Sequence, residues 1–373
     1  MRSLGSLTHY AEGRLERLRD AGQHRTLKPT RRMAEGRAER GGRGLISFCD
    51  NDYLSLSCDP RLIKAASQAA EQYGVGAGAS RLITGDGPLN EQLEARLAAR
   101  KGLEACRVFG SGYLANIGTI PALVGKGDTI VMDALSHACM HAGARLSGAE
   151  IRIFRHNDLA HAEVLMVDAP GQLLVLTETV FSMDGDLAPL ADLSALCERH
   201  DAWLMTDDAH GFGVLDQDNP APLQMGTLSK AAGAYGGYVC GPAPVIDMLT
   251  SRARSLVYTT GLPAPVLASA LSALDVMDAE PERAERARAH AAHFCERLGL
   301  PAPESVIVPL IIGEEARAMA ISAELEEAGY LVTAIRPPTV PQGTSRLRIT
   351  FCAGHSQADV DGLADALQKA LRS

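Results

Sequence analysis

The chain has 373 residues, 46% of them apolar and 22% charged, an ordinary globular composition with room for one large domain and a smaller one. A formal net charge of −9 argues against a chain built to hold nucleic acid or an anionic membrane surface, and neither is expected as a partner. No apolar run approaches the roughly 18 residues of a membrane span, and MRSLGSLTHYAEGRLERLRDAG lacks the apolar core of a secretory signal, so a cytoplasmic location is expected.

Leu7, Leu15 and Leu18 fall at helical spacing between charges, which predicts a helix over about 5–23. Residues 24–43 are rich in Arg and Gly and read as an extended arm or a solvated connector. Leu45-Ile46-Ser47-Phe48 reads as a short strand running into Asn51-Asp52-Tyr53-Leu54, and Asp59-Pro60 opens a helix with proline in its first turn. The glycine-dense run Gly74-Val75-Gly76-Ala77-Gly78 lacks the strand–GxGxxG–helix frame of a dinucleotide site. Its glycines instead suit close backbone approach to a ligand or another subunit. A helix over 89–101 follows.

From Arg107 onward, short apolar runs at 108–109, 129–132, 151–154, 173–177 and 202–206 alternate with helical stretches. Strand then helix, repeated, predicts an α/β fold with a mostly parallel sheet covered on both faces. Ligands in such sheets sit beyond the carboxyl ends of the strands. The polar residues Ser111-Gly112-Tyr113, Ser136-His137, Ser182 and Asp207-Asp208-Ala209-His210 all fall at those ends, as does a lysine loop. After Thr260 a helical stretch over 265–298, broken near Pro281, leads into strands at 306–312, 331–335 and 347–351 and helices at 315–328 and 357–371. The expected division is an N-terminal helix and arm (1–44), a large domain (45–265), and a linking helix with a smaller C-terminal α/β domain (266–373). The eight cysteines (Cys49, Cys58, Cys106, Cys139, Cys197, Cys240, Cys295, Cys352) show no CxxC pairing and read as reduced thiols, not as disulfides or a metal site.

The lysine loop is Thr227-Leu228-Ser229-Lys230, followed by Ala231-Ala232-Gly233-Ala234-Tyr235-Gly236-Gly237. An ammonium among small residues loses water easily, which lowers its pKa and lets the amine form a Schiff base with an aldehyde cofactor. A solvated surface lysine is the plain alternative. An aldehyde on Lys230 implies pyridoxal phosphate, whose ring nitrogen needs a carboxylate partner, and Asp207 at a strand end fits. His210 could hydrogen-bond the phenolic oxygen and His137 could lie on the ring. Ser111-Gly112-Tyr113 opens a helix whose N–H groups suit a phosphate, with the Thr227 and Ser229 hydroxyls beside the lysine. Arg348, inside a strand pattern, suits a substrate carboxylate.

With these residues assembled, the chain resembles the α-oxoamine synthases, a fold-type I pyridoxal-phosphate family, from about residue 44 to 371. The matching stretches include Asn51-Asp52-Tyr53-Leu54, Ser80-Arg81-Leu82-Ile83-Thr84-Gly85, Gly110-Ser111-Gly112-Tyr113-Leu114-Ala115-Asn116, Leu135-Ser136-His137-Ala138, and His156-Asn157-Asp158. Further on come Val180-Phe181-Ser182-Met183-Asp184-Gly185-Asp186, Asp207-Asp208-Ala209-His210-Gly211 and Gly226-Thr227-Leu228-Ser229-Lys230. Residues 334–341, leading to Arg346-Leu347-Arg348, are similar to the branch that works in biotin biosynthesis.

The resemblance implies a seven-stranded, mostly parallel sheet in the large domain, a smaller C-terminal domain, and a homodimer with active sites at the interface. It implies an acyltransferase that condenses L-alanine with a pimeloyl thioester, on CoA or a carrier protein, to give 8-amino-7-oxononanoate, CO₂ and free thiol. It makes Lys230 the Schiff-base lysine and proton acceptor, and Asp207 the partner of the pyridine nitrogen. His210 and Ser182 stand on the ring-oxygen side and His137 on the ring, also facing substrate. Gly112, Tyr113 and Thr227 join the cofactor contacts, and Arg25, Asn51, Thr339 and Arg348 contact substrate. Three departures stand out: Asn90 where the family commonly has histidine, Ala79 where glycine is usual, and a short loop over 214–223. Two rivals are a sibling synthase using glycine or serine with another acyl-CoA, and a plain aminotransferase. A non-catalytic scaffold subunit is the third.

Overall fold

The computed structural model describes residues 4–20, 22–215 and 218–372; Asp216 and Gln217 of the short loop lie outside the described residues. The N-terminal helix is Leu4–Asp20. The basic stretch after it forms strands as well as an extended arm: β1 (Arg31–Arg32), β2 (Arg37–Arg40) and β3 (Arg43–Ser47) make an antiparallel meander. Gly41 and Gly42 close the β2–β3 hairpin at φ 59° and 76°, a two-residue turn that needs positive φ at both positions. The arginines are held by acids of the C-terminal region. Arg37 forks onto Asp359 at 2.9 and 3.0 Å, Arg40 meets Glu326 at 3.2 Å, and Arg43 meets Glu327 at 3.0 Å.

The large sheet contains β4 (Ala105–Phe109), β5 (Thr129–Asp133), β6 (Glu150–Phe154), β7 (Leu173–Glu178), β8 (Trp203–Asp207), β9 (Leu223–Thr227) and β10 (Gly237–Gly241). The order is β4-β10-β9-β8-β7-β5-β6, with only β10 antiparallel to its neighbours. Alternate residues face opposite layers. Val108, Tyr238 and Cys240 enter a core with Leu97, Leu267 and Leu274, whereas Phe109 and Val239 enter a second core with Ile120, Leu176 and Met225. The periodic pattern marks five of these seven strands. It misses β9 and β10, whose glycines dilute it, and the structure explains those glycines. A Cβ on Gly226 would stand 2.3 Å from the Tyr238 hydroxyl, and one on Gly237 would stand 2.5 Å from the Gly112 nitrogen.

The C-terminal body begins after the break at Glu280-Pro281, between helices Ala264–Ala279 and Glu282–Leu298. Its strands are β11 (Ile307–Gly313), β12 (Tyr330–Leu331), β13 (Thr333–Ile335) and β14 (Ser345–Thr350). The run at 331–335 is therefore two strands. β12 pairs in parallel with β3, and β13 pairs antiparallel with β14, which also takes β11. Phe48 packs with Phe294, Phe351, Leu347 and Leu363 in the core of this body. By pairing, β3 joins the meander of the arm to β12 and not to the large sheet.

Candidate functional site

The carboxyl ends of β7, β8 and β9 carry Glu178, Asp207 and Thr227, each nearly sealed from solvent. Lys230 follows three residues after β9. The turn behind it needs glycine, because Gly233 has φ 61° and a Cβ there would stand 2.4 Å from the Ser57 nitrogen.

A chain of hydrogen bonds starts at this lysine. Lys230 Nζ lies 2.7 Å from His210 Nε2, and His210 Nδ1 lies 2.6 Å from the Tyr53 hydroxyl. The Tyr53 O–H donates to Asn51 Oδ1 at 3.1 Å, so it accepts from His210 Nδ1–H, and His210 Nε2 is left to accept from the lysine. Arg348 donates to Asn51 Oδ1 at 3.2 Å and, through Nε, to the Ser182 carbonyl at 2.5 Å. Burial pushes His210 well below the usual histidine range, with the charges of Lys230 and Arg348 acting the same way. Burial also lowers Lys230 to about 8, against the pull of Asp207 and Glu178. The amine is thus far easier to deprotonate than a surface lysine.

Asp207 is 4% exposed. Its Oδ2 accepts from Asn116 Nδ2 at 2.8 Å and its Oδ1 from the Ala209 N–H at 3.0 Å. Burial pushes this carboxyl up despite Lys230 and those donors. Such a group is stabilised as an anion by a further cation or N–H⁺ donor. His137 caps the helix Ala138–Ser147, where its Nδ1 meets Cys139. Burial holds His137 below its ordinary value, Asp207 raises it and Lys230 lowers it.

Ser111 caps the helix Gly112–Leu123, its hydroxyl accepting from Leu114 N–H at 3.2 Å. A Cβ on Gly112 would stand 3.4 Å from Thr227 Cβ, so this helix start faces the Thr227 hydroxyl, which lies 2.8 Å from Ser229 Oγ. Helix N–H groups and two hydroxyls together form a place for an anion. Tyr113, beside it, is half exposed. Arg25 and Thr339 form a separate exposed pair, 3.3 Å apart. Asn90 is buried with its Oδ1 unpartnered, and Ala79 accepts from Gly261 N–H. Among the described residues no cluster of His, Cys, Asp and Glu is placed to hold a metal ion.

The hydrogen bonds thus join Lys230, His210, Asn51, Arg348 and Ser182 and leave Arg25 with Thr339, while close packing sets Gly112 against Thr227. Sequence reasoning did not single out Tyr53, Asn116, Glu178 or Cys139. Tyr53 and Asn116 stood inside quoted motifs and carried a signal. Glu178 ended an apolar run and Cys139 was one of eight scattered cysteines, so neither stood out.

A family sequence model described as "Aminotransferase class I and II" matches residues 43–367. An 8-amino-7-oxononanoate synthase of Methylobacterium nodulans is 57% identical over 98% of this chain and 97% of its own length. A serine palmitoyltransferase variant from S. paucimobilis with bound PLP–myriocin aldimine superposes with a TM-score of 0.91 at 28% identity, covering 100% of this chain and 99% of that one. The crystal structure of an 8-amino-7-oxononanoate synthase from Francisella tularensis gives a TM-score of 0.76 at 25% identity, over 88% of this chain and 98% of that one.

Proposed function

The chain belongs to the class I and II aminotransferase family and, within it, to the 8-amino-7-oxononanoate synthases, and from that premise we propose how its residues work. It is a pyridoxal-phosphate-dependent acyltransferase of biotin biosynthesis, joining L-alanine to a pimeloyl thioester with loss of CO₂ and thiol.

The residues fit pyridoxal phosphate. Lys230 offers an amine lowered to about 8 for the aldehyde. Asp207 offers a buried carboxylate short of a cationic partner. Gly112, Tyr113 and Thr227 form the anion cradle. His210 and Ser182 would face its ring oxygen and His137 would face its ring. When bound, the cofactor supplies an electron sink for a carbanion at the alanine Cα.

Arg348 holds the alanine carboxylate with its guanidinium fork, and Asn51 and Tyr53 aim that fork. Lys230 Nζ takes the Cα proton. His210, neutral and bonded to that nitrogen, accepts a hydrogen bond from it and so keeps its lone pair directed. A carbon–carbon bond then forms between Cα and the thioester carbonyl as thiolate leaves. The carboxylate, now β to a ketone, departs as CO₂, and a proton returned to Cα completes the product. Arg25 and Thr339, the exposed pair apart from this path, contact substrate. The observation that carries this reading is the unbroken path from Lys230 through His210, Tyr53 and Asn51 to Arg348.

We also propose a cytoplasmic homodimer with the sites at its interface. Leu82, Ile83, Tyr113, Tyr235 and Tyr258 are 54%, 74%, 50%, 55% and 73% exposed, large apolar side chains that a second copy would cover. Light scattering reads the oligomer. Product analysis with alanine, glycine or serine against pimeloyl-CoA, pimeloyl carrier protein and other acyl-CoAs tests the function. The amino ketone forms from alanine and a pimeloyl carrier. Turnover confined to glycine or serine with another acyl group would refute the assignment.

A further inference from the structure

We infer that Cys139 is a positioning residue for His137: its backbone N–H and its thiol both donate to His137 Nδ1, fixing the imidazole as the neutral tautomer with its proton on Nε2. The same thiol ties this ring, through Asn116, to the Asp207 carboxylate.

The assignment follows from donors and acceptors. The Cys139 backbone N–H lies 3.2 Å from His137 Nδ1 and can only donate, so Nδ1 presents a lone pair. Cys139 Sγ lies 2.8 Å from that same nitrogen, and with no proton on Nδ1 the thiol must be the donor there. That requires a protonated thiol. Cys139 is 2% exposed, and burial, with the charge of Asp207, pushes it up to about 12. Asn116 Nδ2 donates to Sγ at 3.0 Å and to Asp207 Oδ2 at 2.8 Å, using both its protons. The order is Asp207 to Asn116 to Cys139 to His137, spanning the end of β8, the helix Gly112–Leu123 and the first turn of Ala138–Ser147.

Asp207 raises the His137 proton affinity, while burial and Lys230 lower it. His141 and His210 are also within electrostatic reach of its ring, and Glu178 accepts from its backbone N–H. The thiol hydrogen bond acts with burial and Lys230 to keep the ring neutral, and it fixes the rotation of the ring. What the ring faces rests on the function proposed above; the tautomer does not.

The test is a long-range imidazole ¹H–¹⁵N spectrum of the holoenzyme across pH, with His137 assigned by His137→Asn. The expected pattern near neutral pH is a bare Nδ1 and a protonated Nε2. Cys139→Ser, which keeps a donor, retains this pattern. Cys139→Ala moves the His137 midpoint up by about half to one pH unit, roughly a three- to tenfold gain in proton affinity. A proton on Nδ1 in the unmodified protein overturns the inference with no variant needed, as does a Cys139→Ala midpoint unchanged from it. A failed product assay with the expected imidazole pattern would overturn the function and leave this inference standing.

Discussion

Replacing Lys101 with methionine removes one half of an ion pair whose acid, Asp208, follows the end of β8. Lys101 Nζ meets Asp208 Oδ2 with the two side chains only 13% and 10% exposed. Asp208 immediately follows Asp207 and its other oxygen accepts from Thr179 Oγ1 at 2.6 Å. In Lys101→Met that hydroxyl is the neutral donor left to a carboxylate held out of water. Breaking a buried pair from one side costs about 3 to 5 kcal/mol, more than the pair itself contributes. At roughly 2.1 cal/mol/K per residue, 3 kcal/mol over a chain of this length lowers Tm by about 4 °C. Asp208→Asn in the Lys101→Met background should restore much of the loss, because the stranded charge disappears. A double-mutant cycle by denaturant unfolding measures this as a coupling above about 1 kcal/mol. Additivity within about 0.5 kcal/mol would refute the reasoning and make the pair a screened surface contact.

Three further outcomes follow from the geometry. The Lys230 amine, lowered to about 8 by burial, should react with pyridoxal phosphate in the apoprotein at a rate that rises with pH through a midpoint near 8; a midpoint near the ordinary lysine value would contradict the desolvated setting. His156 is bonded to Asp133 at 3.0 Å and Asp186 at 2.6 Å; burial opposes its charge, but the two carboxylates overcome it and push the ring up to about 10. A raised folded pKa stabilises fully below the unfolded value of about 6.5 and loses that contribution as pH rises through about 10, so the stability gap to His156→Gln should close over that window and not stay constant. Gly185 has φ 73° and a Cβ there would stand 2.2 Å from the Ile307 carbonyl oxygen, so Gly185→Ala should destabilise by about 2 kcal/mol or more in thermal unfolding, where an unchanged Tm would refute the close approach.

The candidate site left more marks in the sequence than the strands around it, for a physical reason. Reactive groups in a parallel sheet collect at strand ends, so Asp207 stood out as a candidate once alternation marked β8, whereas Thr227 and Lys230 stood out by the Thr-Leu-Ser-Lys run itself, because β9 was not marked. The hydrogen-bonded path through Tyr53 was not legible, because Asn51 and Arg348 are 297 residues apart and only folding joins them. Cys139 carries no pattern of its own, and its role depends on His137 capping a helix two residues earlier. The arm looked solvated because its charge is basic, and its acidic partners at Glu326, Glu327 and Asp359 lie near the other end of the chain. The strands β9 and β10 escaped because glycines needed for close packing erase the apolar period.

The most direct test is carbon–carbon bond formation by Lys230→Ala, assayed with alanine and pimeloyl-CoA after loading with pyridoxal phosphate. The amino ketone should fall to background while the protein still binds the cofactor at the Gly112–Thr227 cradle. Product formation at the unmodified rate would mean that another group takes the Cα proton, and the role given to Lys230 would be wrong.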